Sequence, residues 1–181
     1  MGKRKDIPPI PHLKPIDPRD VTVREVAVHE AAHAILFAYL GVDQIALNLR
    51  ACYLRNTIKL VLPFLPAALA GYAADVEINR LSKAEAMRRT KSDRTITEMM
   101  LQEPDPQCRN QRLEEGTTTA ILLVRRFKTE ILALAKRLQS DEAVSAADLE
   151  KMPSIKKIRE LGNRDRAELA KKVGQEISPS S

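Results

Sequence analysis

The chain has 181 residues and a net charge of +6, with 30 Lys and Arg against 24 Asp and Glu, enough for one core-bearing domain but short for two. It has no Trp, three Tyr and three Phe, so its core must come from Ala, Leu, Ile and Val, which favours packed helices. Cys52 and Cys108 lack CxxC spacing, which excludes a disulfide scaffold and a Cys-ligated zinc knuckle.

Residues 1–19 carry five prolines and several charges and read as an extended arm. Its basic start has no apolar run behind it, so a signal peptide is not expected. Thr22 with Glu25 three later is a capping-box pattern. It predicts a helix over about 23–40, stopped at Gly41. In Gln44–Leu49 the residues Ile45, Leu47 and Leu49 alternate, and in Thr57–Leu62 so do Ile58, Leu60 and Leu62. These read as two short strands joined around Arg55 and Asn56. Pro66 suits the first turn of an alanine-rich helix running to about Leu81. The apolar stretch 60–74 is broken by Pro63, Pro66 and Gly71, too short and interrupted to span a bilayer. Ser82–Arg89 reads as a polar connector, with a helix as the alternative. Ser92 or Asp93 caps a helix to about Leu101, and EPDPQ breaks the chain. A long amphipathic helix is expected from Leu113 or Thr117 to Leu138, with Ile121, Val124, Phe127, Ile131 and Leu134 on its apolar stripe. Ser145 starts a short helix in SAADLEKM. Beyond Pro153 the chain is charged. RDRAELAKKVG there reads as an isolated, weakly held helix, and the final ISPSS as disordered.

Within the first helix, residues 28–34 read VHEAAHA. A helix turns 3.6 residues per cycle, so His29 and His33 project from one face and can bind one metal ion. Glu30 sits one step round, placed to act on a water as general base. The flanks Val26, Val28, Ile35, Leu36 and Phe37 leave little polar face on that turn. Burial of His29, Glu30 and His33 would then demand partners, and a metal is one. The small neighbours Ala27, Ala31, Ala32 and Ala34 let a second element bring in a third ligand. His12, in the proline-rich arm, is a poor candidate, and neither cysteine has supporting context. A carboxylate is expected instead: Asp75 or Glu77 on the alanine-rich helix, or Asp93, for which an N-cap role competes.

VHEAAHAIL resembles the zinc motif of the FtsH-type proteases, membrane-anchored AAA+ metalloproteases whose motif reads HEAGH. LAGYAADVEI is similar to their LGGRAAEEL helix, KSDRTITEMM to their segment ASNDLEKATEIAR, and FKTEILALAKRLQSDEAVSAADLEKM to their closing helices, in the same order. The resemblance implies that His29, His33 and Asp93 hold zinc and that Glu30 is the base. It also implies that Asp75, which matches a family glutamate, orients a ligating histidine. Ala32 stands where the family has glycine, and Tyr72 where it has arginine. No GxxxxGK[ST] loop is present, so no ATP-driven unfolding is expected of this chain.

The expected fold is mainly α, a compact helical metallopeptidase domain with a small two-stranded β element after the HExxH helix. The arm spans 1–19, the peptidase domain 20–152, and a charged, partly helical or disordered tail 153–181. The expected function is zinc-dependent, ATP-independent hydrolysis of unfolded or flexible polypeptides in the cytoplasm. The family's protease domains form hexameric rings, which makes a homo-oligomer an expectation, together with a separate ATPase partner that delivers substrate. Two rivals are a non-catalytic zinc-binding regulatory or partner-binding module and a basic nucleic-acid-associated protein. Intact Glu30 opposes the first. The second lacks aromatics interleaved with its basic residues, so nucleic acid is not an expected partner.

Overall fold

A computed structural model describes residues 22–54, 62–102 and 104–176. Among them the chain is mainly helical, with nine α-helices and a three-stranded antiparallel sheet. The arm, His12 and the closing ISPSS lie outside the described residues.

Helix α1 (Val23–Tyr39) begins as the sequence predicts. The Glu25 amide donates to Thr22 Oγ1 at 3.2 Å and the Thr22 amide to Glu25 Oε2 at 3.0 Å. At its end Gly41, with φ +89°, turns the chain out and the Val42 amide reaches back to the Phe37 carbonyl, a close that favours glycine. This helix is the centre of the fold. Ala27, Val28, Ala31, Ala32, Ala34, Leu36 and Ala38 are all wholly buried. Alanine on several faces lets neighbouring helices approach closely, which is how a core with few aromatics reaches native density.

Strand β1 (Ile45–Asn48) buries Ile45 and Leu47 as their alternation predicts. Its partner β2 is Ala51–Leu54, and the expected strand Thr57–Leu62 falls, but for Leu62, outside the described residues. Residues 55–61 lie outside the described part, and Leu62 opens a 3₁₀ turn to Phe64. The cause is local: Asn48 Oδ1 accepts from the Arg50 and Ala51 amides at 2.8 and 3.1 Å, which closes the hairpin at once. A further strand, β3 (Ala143–Val144), pairs with the other edge of β1, so the two-stranded expectation is one strand short. Two residues are too few to show alternation.

The alanine-rich segment is two helices, α2 (Leu65–Ala68) and α3 (Ala70–Glu77), with Pro66 in the first turn of α2. Helix α3 stops before Leu81, because Arg80 adopts φ +63° and the Leu81 amide returns to the Asp75 carbonyl at 3.0 Å. The polar connector Ser82–Arg89 is helical: Ser82 and Glu85 form a second capping box that starts α4 (Lys83–Arg89). Helix α5 (Lys91–Met100) begins before Asp93, which therefore is not its cap. Asp105 caps α6 (Pro106–Arg126), with Pro106 in its first turn. The DPQ read as a break is thus a helix start. The expected long helix ends at Phe127 (φ −103°, ψ 19°), and α7 runs from Lys128 to Asp141. That step lets the buried Phe127 ring pack on Tyr39, with centroids 5.2 Å apart. Ser145 caps α8 (Ala146–Lys151) as expected.

Instead of a weakly held helix confined to RDRAELAKKVG, α9 runs from Pro153 to Glu176. Ile155, Ile158 and Gly162 fall on one face and are buried against the core. Arg159 donates to the Val42 carbonyl at 3.0 Å and pairs with Glu150, and Asp165 accepts from Tyr39 and Arg126 at 2.9 and 2.8 Å. A β-carbon on Gly162 would overlap the Tyr39 carbonyl oxygen and lie 2.9 Å from its carbon. Gly162→Ala is expected to destabilise the fold by about 1–3 kcal/mol in urea unfolding, since backbone there cannot yield without undocking α9. An unchanged midpoint would show that this contact is not made.

Candidate metal centre

Helices α2, α3 and α5 meet α1 at the VHEAAHA turn. His29 and His33 leave α1 toward α3, and Asp93, in the first turn of α5, closes the third side. His29 Nε2 lies 3.1 Å from Asp93 Oδ2, His33 Nε2 lies 3.3 Å from the same oxygen, and the two Nε2 atoms are 3.3 Å apart. Donors around a tetrahedral zinc with bonds of about 2.0–2.1 Å sit roughly 3.3 Å from one another. His29, His33 and Asp93 form a group that could hold a metal ion. His33 is buried, and the side chains of His29 and Asp93 are 13% and 15% exposed.

The protons are placed by the far side of each ring. His33 Nδ1 lies 2.8 Å from the Ala67 carbonyl, which can only accept, so Nδ1 carries a hydrogen there. His29 Nδ1 donates to Asp75 Oδ2 at 3.0 Å, and Asp75 is fully buried. In their neutral forms both rings therefore turn an Nε2 lone pair toward a carboxylate oxygen. Three electron-rich atoms converge, a set that calls for a cation. The titration tendencies agree. Burial opposes charge on His29, but Asp75 and Asp93 outweigh it and carry its pKa up to about 10. Burial would raise Asp93, yet His33 and His29 hold it well below the usual carboxylate range.

Glu30 is buried. Burial pushes its carboxyl above the ordinary glutamate value, against the pull of His33 and His29. The Cys52 thiol is pushed up by burial, with Glu30 and Asp93 adding to the effect, so it stays protonated and is a poor ligand. Glu77, one of the three carboxylates left open by the sequence, faces away and pairs with Arg125 at 2.8 and 2.9 Å. Asp75 sits behind His29 rather than beside the converging atoms. Cys108 is exposed.

Gly71, which in the sequence interrupts an apolar run, faces the centre. A β-carbon there would overlap His29 Nε2 and lie 2.6 Å from His33 Nε2. The available signal was a lone glycine inside an alanine-rich helix, a position that usually marks close approach. Asn79, which donates to Asp75, and the Ala67 carbonyl had no comparable signal.

No protein-family model matches the chain, and no curated protein is significantly similar to it. No described helix is long and apolar enough to cross a membrane.

Proposed function

We propose that the chain is a zinc-dependent metalloendopeptidase acting on unfolded or flexible polypeptides. The observation that carries this reading is the convergence of His29 Nε2, His33 Nε2 and Asp93 Oδ2 beside the buried carboxyl of Glu30. Zinc held there would supply a Lewis acid that lowers the pKa of water toward about 7 and polarises a carbonyl. Glu30 takes the proton of the attacking water and passes it to the leaving amine. A carboxyl whose proton affinity is raised by burial suits both steps. Asp75 and the Ala67 carbonyl fix the two imidazoles, so each presents Nε2 without reorganisation.

Strand β2 is the outer strand of its sheet. It packs against α1, the helix that carries Glu30. An extended substrate segment can pair with that edge by strand addition. Folded substrates would need a separate ATPase to deliver them, and a homo-oligomer, as in the FtsH-type rings, is part of the same proposal.

The test is zinc content together with casein cleavage. Stoichiometric zinc is expected, with cleavage that a chelator removes and added zinc restores. Zinc without cleavage of unfolded substrates would favour the non-catalytic metal-binding module, and a protein that takes up no zinc would remove the basis of the proposal.

A further inference from the structure

Behind His29 the polar contacts continue past Asp75. Asn79 lies just beyond α3, where its amide nitrogen donates to Asp75 Oδ1 at 2.8 Å and to the Glu25 carbonyl at 3.2 Å. Asp75 is fully buried, with Oδ2 on His29 and Oδ1 on Asn79. Both oxygens are thus held, and the carboxylate cannot rotate without breaking a bond. Glu25 is four residues before His29 on α1, so Asn79 ties the α3 carboxylate to the α1 backbone one turn from the ligand it orients.

The side-chain type is demanding. Two acceptors, a carboxylate and a carbonyl, face one nitrogen, and only an amide NH₂ gives both a hydrogen from a short side chain. An aspartate would set acceptors against acceptors. The other end of the amide, Asn79 Oδ1, is buried with no hydrogen-bond partner. An unpaired buried carbonyl costs stability, so it is the NH₂ end that the site requires. The left-handed Arg80 and the Leu81 amide on the Asp75 carbonyl hold the chain in the turn that brings Asn79 there.

We infer that Asn79 is a positioning residue for the metal centre, acting on His29 only through Asp75. This rests on the zinc reading above. Without Asn79, Asp75 loses the partner of Oδ1 and swings, and His29 Nε2 is presented less often in the ligating direction.

The test is a double-mutant cycle on the zinc dissociation constant, measured by chelator competition in wild type, Asn79→Ala, Asp75→Ala and the double variant. Melting of the metal-free forms is followed in parallel. Asn79→Ala is expected to weaken zinc about tenfold, within the range for partners of ligating histidines. The double variant is expected to bind no more weakly than Asp75→Ala alone. Losses that multiply, or an Asn79→Ala protein that melts lower but binds zinc within twofold of wild type, would overturn the inference and leave the zinc site standing. If Asn79→Ala does not fold, Asn79→Ser, which keeps one donor, takes its place in the cycle. Wild type that binds no zinc overturns both readings.

Discussion

Gly71→Ala is expected to give a folded protein that no longer holds zinc. By helix propensity the substitution is favourable, since alanine is better than glycine in a helix interior by about 0.5–1 kcal/mol. The new methyl, however, would overlap His29 Nε2 and sit 2.6 Å from His33 Nε2. Neither ring can give way while keeping its bond. His33 is held by the Ala67 carbonyl and His29 by Asp75. Nor can α3 back off cheaply, because Ala70, Ala73 and Ala74 are wholly buried. The least costly relief is rotation of one imidazole out of the converging set, which removes a ligand. Zinc content should fall to background and cleavage with it, while metal-free thermal melting changes little. Zinc retained at wild-type affinity would show that the rings do not turn toward Gly71.

The same residue shows where sequence reading stops. Helix α1 was legible because three signals agreed: a capping box, an apolar run and a terminal glycine. His29 and His33 followed from helical spacing, and their burial from the flanks. Asp93 was not legible from its own neighbourhood, where an aspartate at a helix start reads equally well as a cap. The ordered resemblance singles it out from Asp75 and Glu77, and the tertiary approach of α5 to α1 supplies the physical reason. Gly71 and Asn79 act across space, through a missing β-carbon and through an amide on another residue's carboxylate, and neither leaves a periodic trace. The strand Ala51–Leu54 was not legible from alternation, because the Asn48 side chain that turns the hairpin leaves no periodic signal. The docking of helix α9 is hidden in the sequence because its charges mask Ile155, Ile158 and Gly162, spaced three and four apart along its buried face.

Glu30→Gln is expected to keep zinc and lose cleavage. Glu30 is not among the three converging donors, so the amide leaves the ligand set intact and stoichiometric zinc should remain. Glutamine also matches the volume of glutamate and is easier to bury than a carboxylate. The melting temperature of the variant should therefore equal or exceed that of wild type. What the amide cannot do is accept a proton from water and return it to a leaving amine. The loss of a positioned general acid–base is worth about 10²–10⁴ in rate, and the turnover number for a peptide substrate should fall by at least the lower figure. The substitution is isosteric and leaves the β1–β2 pairing untouched, so β2 and its edge stay in place and KM should change little. This split between turnover and KM separates a proton-transfer role from a structural one. A Glu30→Gln protein that cleaves casein at the wild-type rate would remove Glu30 from the chemistry, and with it the distinction between this centre and a metal site that only binds.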